Sequence, residues 1–329
     1  MVSIIIPCYN CEAWIGETLD SIVVQTYTDW EAIVVNDAST DSSAEIARAY
    51  ATRDSRIRVE DIPHGGLAQV RNRGIGFARG EMIAFIDSDD LWPRRSLERM
   101  VQGLQATGAE MATGTFLSFK DTPTGMSKAF AEADKKLASE PEWGVLSGPE
   151  AVEDSLYQDR VNSSMWSKLF RREAFDGVSF RAGELYEDLD CFHRLVMRMK
   201  RVAFTMAPVY LYRLRGGSLI RTFNRDRLIV LEVTRRIEEH IRAEAPGYLP
   251  AATDRRFSAN YNMLCEITRA IARGESHDEY ASRLDSISAY LTAHAKEELI
   301  NPRVRLKNRV GALAWLLLPR PLLNKIMTL

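Results

Sequence analysis

Three aspartates, Asp87, Asp89 and Asp90, fall within four positions directly after the apolar run Met82 to Ile86. Like charges this close raise one another's pKa unless something positive joins them. A divalent cation is the usual answer. Asp87 and Asp89 flank Ser88 and, on an extended segment, would point to the same side, offering hard oxygen ligands suited to Mg²⁺ or Mn²⁺. Such an ion keeps positions open for phosphate oxygens and can act as a Lewis acid. The alternative is a solvated acidic turn capping a helix at Arg94. A second candidate is the C-x-x-C formed by Cys8 and Cys11. Zinc would need another such pair, and the remaining cysteines, Cys191 and Cys265, do not form one, so two free thiols in a loop are the preferred reading.

The elements that must position these groups are legible in the first third of the chain. Apolar, β-branched runs alternate with helical spacings, the pattern of a mostly parallel, helix-covered sheet. Val2 to Ile6 reads as a strand, followed by Ile15, Leu19, Ile22 and Val23 at helical spacing and by a second strand, Ala32 to Val35. Ser42 with Glu45 predicts a capping box opening a helix with Ile46 and Tyr50 on its apolar face. A short strand at Ile57 to Val59, a helix from Leu67 to Ala78 closed by Gly80, and the strand Met82 to Ile86 complete the series. Polar clusters follow three strand ends, at Pro7 to Asn10, Asn36 to Asp41 and Asp87 to Asp90, where open α/β sheets bind ligands. Further on, Ala112 to Phe119 reads as a strand, Lys120 to Lys128 as a mobile loop, Phe192 to Met199 as a helix face, and Val202 to Arg213 as one or two strands. Beyond Ile220 the long amphipathic spacings are helical.

Four blocks in order, Val2 to Asn10, Val35 to Asp41, Ala68 to Gly74 and Phe85 to Asp90, resemble those of family 2 glycosyltransferases. The likeness is close over residues 1 to 105 and looser to about 220. It implies a Rossmann-like GT-A fold with a mostly parallel mixed sheet: residues 1–105 as the nucleotide-sugar half, 106–220 as the acceptor and catalytic half, and 221–329 as a helical region. By the same resemblance, Pro7 lines the donor site, Tyr9 stacks on the donor base, Asp37 bonds a uracil-type imide and Arg71 lies at the nucleotide. Asp87 faces the ribose and Asp89 the metal, Mn²⁺ or Mg²⁺, with Asp90 in support. Ala38 stands where many members carry glycine, which puts that turn's geometry in question. Glu187-Asp188 resembles the family's Glu-Asp motif. A positioned carboxylate can take the proton of an attacking hydroxyl, and Asp188 is given that role with Glu187 as orienter, although spacing does not decide between them and both acids would also suit a helix N-terminus. Trp166 lies in a segment resembling the family's acceptor side, as a stacking platform or a core residue. Arg213 with Gly216, Gly217 and Ser218 resembles a segment closing over the diphosphate. His64 and His193 are expected to be structural.

Charge and composition bound the remaining choices. With 43 basic and 45 acidic residues the net charge is -2, which argues against nucleic acid as a partner. Four cysteines suit a reducing compartment, and the sequence shows no basic, cleavable leader, so a cytoplasmic location is expected. From Asn301 onward there are basic residues, among them Arg303 and Lys325, and no acidic one. The apolar stretch Val310 to Leu318 is too short to span a bilayer, which needs about 20 residues. This tail is expected either to lie on an anionic inner membrane leaflet or to pack on protein. The expected reaction is inverting transfer of a hexosyl or N-acetylhexosaminyl group from a nucleotide sugar, a UDP-sugar by preference, to a glycan or lipid-linked acceptor in surface polysaccharide or glycolipid synthesis. A catalytically silent nucleotide-sugar-binding or membrane scaffold is the alternative, and a nucleotidyltransferase is disfavoured because Pro7 to Asn10 is no glycine-rich phosphate loop.

Overall fold

The computed structural model describes residues 1–139, 142–215 and 223–328. Its strands are β1 (Val2–Cys8), β2 (Trp30–Asn36), β3 (Ile57–Asp61), β4 (Met82–Phe85), β5 (Met111–Lys120), β6 (Gly144–Leu146), β7 (Lys168–Arg171) and β8 (Val202–Leu214). The helices are α1 (Ile15–Val23), α2 (Ser43–Arg53), α3 (Gly66–Phe77), α4 (Ser96–Thr107), α5 (Pro123–Ala138), α6 (Gly148–Tyr157), α7 (Glu187–Val196), α8 (Ile229–Glu244), α9 (Leu249–Ala272), α10 (Ala281–Ile300), α11 (Leu306–Leu317) and α12 (Arg320–Met327). The strands form one sheet in the order β3-β2-β1-β4-β7-β5-β8-β6. Parallel pairing joins β1 to β2 and β4, β2 to β3, and β5 to β8, while β7 runs antiparallel to both its neighbours and β6 antiparallel to β8.

Burial explains why the central strands are mostly apolar. Every residue of β2, and all of β1 but Pro7, is buried, so the polar side chains among them need partners: Ser3 donates to Glu31 and Asn36 to Asp61. Each fully buried Ile in these strands contributes roughly 1.5–3 kcal/mol relative to exposure. The chain runs outward from β1 through β2 to β3 and then crosses to β4 on the other side of β1. That reversal opens a crevice beyond the carboxyl ends of β1 and β4, where Tyr9 and the aspartates lie. Because β7 is antiparallel, its first residues arrive at this same edge, and Trp166 bridges to Phe85. The end of β8 arrives there too, with Leu211 bridged to Leu91.

Several local expectations are corrected. Residues after Lys120 are helical: Pro123 opens α5, and the Thr122 side chain accepts from the Gly125 N–H, which a reading based on Pro and Gly as breakers missed. Ser42 is the N-cap of α2, but its side chain makes no capping bond; Asp41 accepts from the Ser43 N–H instead. Gly80 does not close α3, which ends at Phe77; a Cβ there would come within 2.7 Å of the Met1 carbonyl. Val202 to Leu214 is a single strand with register shifts against β5.

The chain divides into two compact units, one of residues 1–152 and 160–218, the other of residues 153–159 and 219–329. The assignment of 153–159 to the second differs from a simple division near residue 220. Within the helical unit Arg303 forms ion pairs with Glu153, Asp154 and Asp159, which ties that segment to the start of the tail. Among the described residues no helix is long and apolar enough to cross a membrane.

Candidate active site

The acidic residues after β4 form a turn, with the Asp90 N–H donating to the Asp87 carbonyl at 3.1 Å. The expectation of an extended segment with Asp87 and Asp89 on one side is therefore corrected. Thr18 on α1 pins the turn by donating to the carbonyls of Ser88 and Asp90, each at 2.9 Å. Asp90 is the buried support: it accepts from the Tyr210 hydroxyl at 2.8 Å and the Arg213 N–H at 2.7 Å. Burial, followed by repulsion from Asp87 and Asp89, pushes its carboxyl up to about 8. Asp89 is ion-paired with Arg215.

Arg213 is used up by the protein. Its guanidinium donates to the Asp89 carbonyl at 2.6 Å, to Asp121 at 2.5 Å and to Glu17 at 2.6 Å, and it lies over the Phe119 ring. This arrangement makes Arg213 the clamp of the acidic turn and leaves Arg215, two residues on, as the cation at the Asp89 carboxylate. Ser218, with Gly216 and Gly217, lies outside the described residues.

Arg71 joins the two halves of the site. Buried on α3, it donates to Glu187 at 2.5 Å and approaches Asp87 at 3.5 Å, while its Nε has no hydrogen-bond partner among the described residues. Burial pushes the Asp87 carboxyl up to about 6 against the pull of Arg71, with Asp89 and Asp188 raising it further. Glu187 is likewise pushed up to about 7 by burial, with Arg71 opposing. Tyr186, in the left-handed region at φ 63°, turns the chain into α7 so that Glu187 points inward. Asp188 remains partly exposed, with one oxygen accepting from the Leu189 N–H at 2.7 Å. Beneath it, Lys168 at the start of β7 is fully buried, donates to Asn162 at 2.6 Å, and is held down to about 7 by burial, with the Asp188 charge opposing.

The opposite wall is built on β1 and β2. Tyr9 is half-exposed, and its ring lies 4.7 Å from that of His64. Asp37 is buried and accepts from the N–H groups of Gly65 and Gly66 at 2.8 and 2.9 Å, with His64 Nδ1 3.0 Å away. Its carboxylate thus shapes the entry to α3. Ala38 takes up the left-handed conformation, φ 58°, that glycine would adopt freely, so the turn is kept at a cost of about 1 kcal/mol. Pro7 pairs in register with Val35. Cys8 belongs to β1 rather than a loop; both thiols of the pair are buried and 3.5 Å apart. The hydrogen bond from Cys8 holds the Cys11 thiol down to about 7 and raises that of Cys8.

Trp166 is partly buried in an aromatic cluster, stacked on Tyr210 at 4.7 Å and Tyr212 at 5.8 Å with Phe116 edge-on. The tertiary arrangement therefore brings together Arg71, Asp87, Asp89, Asp90, Glu187 and Asp188, whereas Tyr9 and Asp37 form a separate wall. Lys168, Tyr210, Arg215, Glu17 and Asp121 were not singled out by sequence. Only Arg215, in Arg-x-Arg beside paired glycines, carried a usable signal.

The sequence profile described as Glycosyl transferase family 2 matches residues 3–178, more than half of the chain. The chain belongs to glycosyltransferase family 2. This glycosyltransferase is 32% identical over 227 residues to the glycosyltransferase GlyG of Streptococcus pneumoniae serotype 4, covering 68% of this chain and 73% of GlyG. It spans smaller shares, 41% and 62%, of two other curated glycosyltransferases. Its fold matches that of S. aureus TarS 1-349, solved with UDP-GlcNAc, with a TM-score of 0.67 at 19% identity over 99% of this chain and 88% of that one. A mannosyltransferase from Pyrobaculum calidifontis, PcManGT, solved with GDP-Man and Mn²⁺, aligns with a TM-score of 0.54 at 18% identity over 99% and 86% of the two chains. The GT-A-like sheet followed by helices is thereby established as the fold.

Proposed function

We propose that this family 2 glycosyltransferase moves a hexosyl or N-acetylhexosaminyl group from a nucleotide sugar, by preference a UDP-sugar, to an acceptor hydroxyl with inversion. The single observation carrying this reading is the division of labour at α7: Glu187 is buried on Arg71, while Asp188 beside it is solvent-accessible and electrostatically coupled to Asp87. Asp188 is then the base that takes the acceptor proton, and Glu187 with Arg71 holds it in place. One base on one side of the sugar and one leaving diphosphate on the other is the arrangement for direct displacement. Tyr9 offers its exposed ring to the donor base. The buried Asp37 acts through the His64 to Gly66 turn, where an imide contact would have to share its carboxylate.

The residues present fit a divalent ion held by few protein ligands. Asp87 and Asp89 supply hard oxygens, and burial pushes the Asp87 carboxyl up, with Asp89 and Asp188 adding to it, so a cation there would be stabilising. Among the described residues no three His, Cys, Asp or Glu side chains converge on one point, so most of the ligand shell would come from water and diphosphate. When bound there, Mn²⁺ or Mg²⁺ would neutralise charge on the departing diphosphate. Asp89 becomes available as Arg215 turns away from it, and Arg215 is then free to meet the phosphates. TarS with UDP-GlcNAc supports a UDP-sugar, and PcManGT with Mn²⁺ supports the ion. The acceptor we propose is a glycan or lipid-linked glycan used in surface polysaccharide synthesis on the cytoplasmic side.

The test is the thermal unfolding midpoint with UDP, GDP, dTDP or CMP, each with and without Mn²⁺, for the wild type and Asp89→Ala. A nucleotide at about a hundred times its dissociation constant stabilises by roughly 2.7 kcal/mol. A metal-dependent shift with UDP that Asp89→Ala abolishes is the expected result. No shift with any nucleotide would overturn the donor site and favour a silent scaffold.

A further inference from the structure

The helix α11 is apolar on two opposite faces. One face carries Asn308, Gly311, Ala312 and Trp315, all buried within the helical unit, with Trp315 donating to Thr292 at 3.2 Å. Trp315 is thus an inward anchor, so this face of the tail packs on protein. The other face carries Leu306, Val310, Leu313 and Leu317 at three- and four-residue spacing, which aligns them along one side of a helix. These four are 76%, 57%, 47% and 69% exposed. On α12, Leu322 and Ile326, four residues apart, are exposed as well. A helix apolar all round is normally covered on every side.

Charge decides what covers it. Lys307 and Arg309 flank the stripe, and Arg320 and Lys325 lie on α12, while residues 301–329 contain no acidic side chain. Arg320 lies 3.4 Å over the Trp315 ring, with its apolar stem along the protein. Two copies of this surface placed face to face would bring basic rims together and repel. An anionic lipid leaflet matches both the apolar stripe and its rim.

We propose that the outer face of α11 with α12 is an interfacial membrane-binding surface, lying in the plane of an anionic phospholipid bilayer. Leu306, Val310, Leu313 and Leu317 enter the acyl boundary, and Lys307, Arg309 and Lys325 meet the headgroup phosphates. The surface serves whatever reaction the sheet unit performs, and its test uses neither donor nor acceptor, so it stands or falls separately from the donor reading.

The experiment is flotation of the full chain with phosphatidylcholine vesicles, with and without phosphatidylglycerol, at low and high salt. The wild type is expected to float with the anionic vesicles and to be partly released by salt. Val310→Ser with Leu313→Ser and Leu317→Ser is expected to weaken partitioning by about tenfold or more, while its unfolding midpoint stays near wild type. Should that variant unfold early, Lys307→Glu with Lys325→Glu tests the charged rim independently and should abolish the preference for phosphatidylglycerol. Absence of flotation with any vesicle would overturn the proposal. So would binding that both variants retain, or sedimentation showing a wild-type dimer that the serine variant converts to monomer, which would make the stripe a contact between copies.

Discussion

Two clusters of buried carboxyl groups in this protein meet the same electrostatic problem in different ways. At the carboxyl end of β4, Glu187 and Asp87 face Arg71 and Asp89 is paired with Arg215, while the Arg213 guanidinium holds the turn through the Asp89 carbonyl. In the helical unit, Asp254 of α9 and Glu298 of α10 are almost wholly buried, and Asn308 of α11 donates to Asp254 at 2.6 Å. Burial and the hydrogen bond with Asp254 push the Glu298 carboxyl up to about 9, so this pair is held together by a proton. The proton-bridged pair is closed to solvent and suits a fixed junction of three helices. The arginine-balanced cluster stays partly open, and one of its cations, Arg215, pairs with a carboxylate from a position where another cation can replace it. Charge balance by exchangeable cations is what the proposed site for diphosphate and metal would use, with the buried Asp90 behind it holding a proton as Glu298 does.

The comparison is broken most directly at Asp188. Asp188→Asn should lower the transfer rate by about 10²–10⁴-fold while leaving nucleotide-dependent stabilisation intact. Undiminished turnover would remove the base from α7. Arg213→Met should lower stability by about 2 kcal/mol, less than the ~3–5 of a fully buried pair because Glu17 and Asp121 remain partly solvated. Its unfolding midpoint measures this, and an unchanged midpoint would show that the acidic turn does not depend on its clamp.

The proton-bridged pair predicts a pH dependence. Between its ordinary pKa near 4.5 and its folded value of about 9, Glu298 binds a proton in the native state that the unfolded state has lost. Its contribution to stability is therefore fully present at acid pH and is lost as pH rises through that window. Glu298→Gln should flatten the decline, gaining up to roughly 3–5 kcal/mol relative to wild type by pH 8 in denaturant titrations. Asp90 leans the same way up to about pH 8, so a residual slope is expected. The smallest effect is at Arg215. Removing the competitor for Asp89 by Arg215→Gln should tighten Mn²⁺ binding without nucleotide by about fivefold, the size of a partly exposed ion pair of about 1 kcal/mol. Calorimetric titration would show it, and weaker binding would mean that Arg215 helps to hold the ion's surroundings instead.

Much of the sheet half was legible because its signals are local. Apolar runs announced β1, β2 and β4, and acids after β4 announced a cation-seeking cluster. The α5 error came from the same locality: Pro at a helix start and Gly three residues after Thr122 look like breakers until the capping bond is seen. The exposed stripe of α11 was invisible for a related reason. Spacing shows that a helix has apolar faces but not how many of them find neighbours.

Residue types and their order alone determined the family, the α/β class, the acidic cluster after β4 and the helical character of the last third, because periodicity and strand-end chemistry are properties of short segments. Only the tertiary structure decided that Glu187 is buried on Arg71 while Asp188 stays partly exposed, that Arg213 is spent on the acidic turn while Arg215 faces Asp89, and that Trp315 points inward. Those outcomes depend on which distant side chains share a low-dielectric space. The β7 strand, running against its neighbours, and the reversal at β1 bring residues more than a hundred positions apart to one edge of the sheet.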